Sequence, residues 1–143
     1  MRIPLDSFNA GQVISLEMGL SSVPINILSD DSSGNKIFVR QDYVRLQEHI
    51  FSLIDPPEEH KPRVAVLGNP GTGNTYFGLF LLVQCIRNGL TVVYESGSIN
   101  AHYMFSPAGV TCFPDRDDPA YMAALGNRST ILSCWCHVLS RSR

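Results

Sequence analysis

The segment Val64–Ile86, VAVLGNPGTGNTYFGLFLLVQCI, has the spacing of a phosphate-binding loop. Against the pattern G-x-x-x-x-G-K-[ST], Gly68 and Gly73 hold the glycine positions and Thr75 the hydroxyl position, while Asn74 stands where the lysine belongs. The chemistry divides among three parts. Backbone N–H groups from Gly71 to Thr75 can surround an anion, because glycine permits the turns that aim them inward. The N-terminus of the following helix adds a partial positive charge. The lysine adds a full charge at the β- and γ-phosphates, and the hydroxyl helps to hold Mg²⁺. Asn74 keeps two amide donors, carries no charge and reaches less far. The candidate nucleotide-binding set is Gly68, Asn69, Pro70, Gly71, Thr72, Gly73, Asn74, Thr75 and Tyr76. Thr75 is a magnesium ligand only when nucleotide binds, and no residue is assigned a catalytic role.

Hydrolysis of a nucleotide also needs a carboxylate at the end of a later apolar strand to organise the magnesium. The last acids of the chain are Asp115, Asp117 and Asp118, and they precede a short helix. They read as a solvated helix start, with Asp118 as N-cap and Pro119 at the first helical position. Glu95 ends a strand and reads as a rim residue, the alternative being that it faces the nucleotide. The tail ILSCWCHVLSRSR contains no Asp or Glu.

These residues need elements to position them. Val64–Leu67 is a short apolar run, β-branched at two of four places, as expected of a strand covered on both faces. Asn74–Asn88 is apolar nearly all round, so the spacing predicts a helix lying on a sheet under other cover, ended by Gly89. Leu90–Glu95 is the next strand, which completes a βαβ unit with a right-handed crossover. Arg40–Ile54 places Tyr43, Leu46, Ile50, Leu53 and Ile54 at helical intervals, and Pro56 and Pro57 stop it. A short strand is expected at Ile37–Val39, after an exposed loop at Ser29–Lys36. HYMFSPAGVTCF, His102–Phe113, reads as a hairpin turning at Ser106–Gly109, followed by a short helix over Pro119–Leu125.

With 143 residues the chain is long enough for one domain with a core, and 44% apolar against 17% charged residues fits a folded chain rather than a disordered one. A net charge of −2 supplies no basic field for a nucleic-acid backbone. The longest apolar run is far too short to span a membrane, and the start MRIPLDSFNAGQ lacks a secretory h-region. Cys85, Cys112, Cys134 and Cys136 read as reduced intracellular thiols; CWCH has no second pair at zinc spacing, so no zinc is expected.

Three stretches, IFVRQDYVRL, VLGNPGTGNTYFGLFLLVQCIRNGLTVVYES and YMFSPAGV, resemble the N-terminal part of the NTPase domain of Crinkler-type proteins, relatives of the retrotransposon hot-spot proteins. The likeness covers Ile37 to Thr130. Its most specific parts are the [IV]-x-V-R-x-D-Y stretch and the aromatic Tyr76 just after Thr75. The resemblance implies a P-loop ATPase sheet, often joined to a nuclease-like or effector domain, and action inside host cells or nuclei. Gly68, Gly71, Gly73 and Thr75 match its nucleotide loop, and Asn74 departs at the lysine. The tail departs as well, where the family pattern continues into a strand bearing the magnesium acid.

The expected fold is α/β: a partial P-loop NTPase, a parallel sheet flanked by helices, with a small β-hairpin insertion and an N-terminal helical lead-in. Residues 1–36 form an N-terminal extension, 37–130 the incomplete NTPase-like domain, and 131–143 an atypical tail. That tail is expected to be a truncated or out-of-frame end, foreign to the fold. The alternative is that Ile131–Val138 fills the place between the two strands of the βαβ unit. The expected function is a degenerate module that binds ATP with magnesium weakly, if at all, and hydrolyses nothing. The other readings are an active ATPase, and a non-catalytic interaction module or decayed gene fragment.

Overall fold

An apolar helix can be soluble only when something covers it on several sides, and the central helix of this chain meets that need with two neighbours. The computed structural model describes residues 8–15, 36–54, 66, 73–96, 101–126 and 130–135. Among them the elements run β1 (Val13–Ser15), β2 (Lys36–Phe38), α1 (Gln41–Ile54), α2 (Asn74–Arg87), β3 (Thr91–Ser96), β4 (Ala101–Ser106), β5 (Gly109–Phe113), α3 (Pro119–Gly126) and β6 (Thr130–Trp135). The fold class is α/β.

The larger sheet has the order β5-β4-β3-β6. β3, β4 and β5 form an antiparallel meander, and β6 lies parallel to β3 from Thr91↔Thr130 to Ser96↔Trp135. The sheet is therefore mixed, with one parallel pair, in place of the expected parallel sheet. Its two faces follow from the alternation of side chains along a strand. Val92, Tyr94, Tyr103 and Phe105 pack with Phe77, Phe80 and Leu82 of α2, while Val93 packs with Phe113 and with Tyr121 of α3. One helix thus covers each face.

α2 buries Phe77, Leu79, Phe80, Leu82, Val83 and Cys85, which its sequence anticipates. It ends with the two hydrogen bonds of a Schellman motif, Leu90 N–H to the Cys85 carbonyl and Gly89 N–H to the Ile86 carbonyl, both 3.0 Å. Gly89 takes φ 70°, the left-handed conformation that this motif requires. α1 crosses the other side of α2, where the ring centroids of Tyr43 and Phe77 lie 5.4 Å apart and those of Tyr43 and Phe80 5.7 Å.

The buried face of α1 keeps Tyr43 and Ile50 of the expected set and departs from it elsewhere. Tyr43, Gln47, Ile50 and Phe51 are buried, whereas Leu46 and Leu53 are exposed. Two apolar stripes were available in this helix, and contact with Phe77 and Phe80 selects the one that carries the aromatic Tyr43 and Phe51. β2 is shifted one residue from the expected strand and pairs antiparallel with β1, with Ile14 opposite Ile37. Both isoleucines are buried, so this ladder closes the core beside α1. No strand was expected at Val13–Ser15, because three residues are too few to show a period.

The hairpin turns where expected, with Ser106 opposite Gly109, and α3 begins as expected, with Ala120 N–H donating to Asp118 Oδ1 at 2.8 Å. Of the two readings of the tail, Thr130–Trp135 follows the one that makes it a strand. The expected loop at Ser29–Lys36, apart from Lys36, lies outside the described residues. So do residues 55–65 and 67–72, and with them the crossover; Val66, the one described residue of the strand expected at Val64–Leu67, is not in a strand.

Candidate functional site

Of the expected nucleotide set, Gly68, Asn69, Pro70, Gly71 and Thr72 lie outside the described residues. Gly73 is the N-cap of α2, with φ 93° and ψ 20°, and the backbone of Asn74 and Thr75 forms the first turn. Phe77 N–H donates to the Gly73 carbonyl at 2.9 Å, so the helix starts at this residue. The N–H groups of a first helical turn have no partner within the helix and face whatever lies before it. Glycine is the residue for this place on two grounds. Its φ is in the left-handed region, and a Cβ built here would lie 2.6 Å from the Tyr43 hydroxyl oxygen and 3.5 Å from Arg40 Nη1.

That close approach defines a site the loop motif alone does not reveal. Lys36 and Phe38 of β2, Arg40 and Tyr43 at the start of α1, and Gly73 and Tyr76 at the start of α2 line an open cleft of about 340 Å³. The Tyr43 hydroxyl donates to the Gly73 carbonyl at 3.0 Å, tying α1 to the helix start. Burial pushes the Tyr43 hydroxyl above its usual pKa, against a smaller opposing pull from Arg40, so it stays a proton donor at neutral pH. The guanidinium of Arg40 sits 5.8 Å from the centroid of the Tyr43 ring. Its Nη2 is 3.7 Å from Asp42 Oδ2, an exposed contact. Among the described residues, the charged side chains lining the cleft are the cations Lys36 and Arg40. Two such cations suit a phosphate group. Arg40 and Tyr43 belong to the [IV]-x-V-R-x-D-Y stretch, which was the available signal. Lys36 had none.

Glu95 requires a correction. Expected at the rim, it is buried, at 8% exposure. Arg116 Nη2 donates to its Oε2 at 2.6 Å and the Tyr121 hydroxyl donates to its Oε1. His102 Nδ1 lies 3.7 Å from the same Oε1, and the His102 and Tyr121 rings are 5.2 Å apart. This carboxylate therefore fastens α3 and the segment before it to the sheet, and both its oxygens are engaged by protein donors. The DRDD acids behave as a helix start: Asp118 caps α3, and Asp115 Oδ1 accepts from Asp117 N–H at 3.2 Å. The residue that matters in that cluster is Arg116, which sequence reading passed over because its partner is 21 residues away on another element.

Cys85 is buried in α2, and burial pushes its thiol up to about 12. Cys112 is exposed on β5. Among the described residues no helix is long and apolar enough to cross a membrane. Comparison with family models, with curated proteins and with solved structures gave no match.

Proposed function

We propose that this chain is a degenerate P-loop module that holds the phosphates of a nucleotide weakly and does not hydrolyse it. The observation that carries this reading is the left-handed Gly73 at the start of α2, opening onto a cleft lined by the cations Lys36 and Arg40. The glycine spacing and Thr75 supply the motif, and a helix N-terminus supplies the favourable dipole. Against hydrolysis stand the uncharged Asn74 and the commitment of Glu95 to Arg116 and Tyr121. Groups that stabilise charge in a transition state are commonly worth about a hundredfold or more each.

The functional test is calorimetric titration with ATP and magnesium, together with measurement of released phosphate. Weak binding without release is expected. Steady turnover near one per second, as expected for an active kinase-like or ATPase site, overturns the reading.

A further inference from the structure

Asn74 removes a full charge from the loop, and a polyphosphate bound by backbone N–H groups alone stays largely unneutralised. The cleft supplies the missing element from outside the loop. Resting on the nucleotide reading above, we propose that Lys36 and Arg40 together stand in for the loop lysine. The ligand of this site is then a polyphosphate, recognised by charge at the α2 start.

The geometry is specific about Arg40. Its Nη1 lies 3.5 Å from where a Cβ on Gly73 would sit, so the guanidinium is beside the residue that leads into the first turn of α2. Its contact with Asp42 is exposed and long, at 3.7 Å, the kind of ion pair that contributes little, and guanidinium binds phosphate in a bidentate manner. Lys36 reaches the same cleft from β2, whose pairing with β1 holds that edge of the cleft in place. The Tyr43 hydroxyl, bonded to the Gly73 carbonyl, keeps α1 and the helix start in register, and Lys36, Arg40 and Gly73 line the same cleft. An arrangement built this way reads the number of negative charges on its ligand. Binding therefore weakens from tripolyphosphate and ATP through ADP to AMP, is negligible for adenosine, and falls with added salt.

The test titrates ATP, ADP, AMP, adenosine and inorganic tripolyphosphate into the full chain and into three variants: Lys36→Gln with Arg40→Gln, Asn74→Lys, and all three together. Both cations are exposed, and thermal melts establish that the variants fold; each single Gln variant is read as well, should the pair melt early. The expected result is a loss of about tenfold or more in ATP affinity for the double variant, and its recovery when Asn74→Lys is added. ATP binding by the full chain that is unchanged in the double variant overturns this inference and leaves the nucleotide reading standing. Adenosine binding as tightly as ATP also overturns it, since recognition then lies in the base and sugar. Absence of binding by ATP and tripolyphosphate alike overturns both.

Discussion

Substituting Gly73 by alanine probes the joint on which the candidate site rests. Two costs add at this residue. An L side chain at φ 93° pays about 1–2 kcal/mol for the left-handed conformation. The new Cβ would also lie 2.6 Å from the Tyr43 hydroxyl oxygen, so that hydroxyl must move and its bond to the Gly73 carbonyl is lost, at about 0.5–1.5 kcal/mol. Together they come to about 1.5–3.5 kcal/mol. Gly89 provides the control, because it has φ 70° with nothing within 4 Å of an added Cβ, so Gly89→Ala pays only the conformational cost. Urea unfolding of the two variants should therefore differ by about 1 kcal/mol, with Gly73→Ala the less stable. Tyr43→Phe removes the clashing oxygen, and the Gly73→Ala, Tyr43→Phe pair should be less destabilised than the sum of its singles by a similar amount. Equal costs at the two glycines, together with additivity in the double variant, would refute the claim that α1 is locked onto the start of α2 through this contact.

Other consequences can be checked with the same preparation. Glu95→Ala should cost about 1–3 kcal/mol in urea unfolding, discounted because Arg116 is mostly exposed, while Arg116→Ala should cost less; equal and negligible effects contradict the fastening role of Glu95. Cys85 should resist thiol labelling in the folded chain while Cys112 reacts, as read by peptide mass spectrometry. The Cys85 thiol has a folded pKa of about 12 against an ordinary 9.0, so its contribution to stability is complete below pH 9 and is lost as pH rises from 9 towards 12. Alkaline unfolding that begins near pH 9 and weakens in Cys85→Ala is the expected result. A chain ended at Thr130 loses nearly all of β6 and should melt well below the full chain, by more than about 8 °C; a shift of only a few degrees means that β6 adds nothing to the sheet.

Much of this architecture could be read from the residues. α2 was legible because an unbroken apolar pattern ends at a glycine, and the hairpin and α3 because turn and cap residues mark their limits. Two kinds of feature were not legible. The buried face of α1 depended on which of two apolar stripes meets Phe77 and Phe80, a tertiary choice that periodicity does not make. β1 is three residues long, and the contacts of Glu95 join residues 21 and 26 apart, so neither leaves a local pattern. The site was half legible. Glycine spacing marked the start of α2, but the cations beside it, Lys36 on β2 and Arg40 just before α1, lie 37 and 33 residues before Gly73, and only folding brings them together. For the same reason Asn74, which looks from the sequence like the loss of the site's charge, is in the structure one position beside a cleft that carries two others.

The central claim is phosphate binding without turnover at the start of α2, and calorimetric titration of ATP with magnesium into the full chain and into Asn74→Lys tests it most directly, with released phosphate measured in the same samples. The account predicts weak, salt-sensitive binding that tightens about tenfold or more in Asn74→Lys, with no phosphate above the buffer blank in either. Affinity unchanged by the lysine, or steady phosphate release by the unmodified chain, contradicts it.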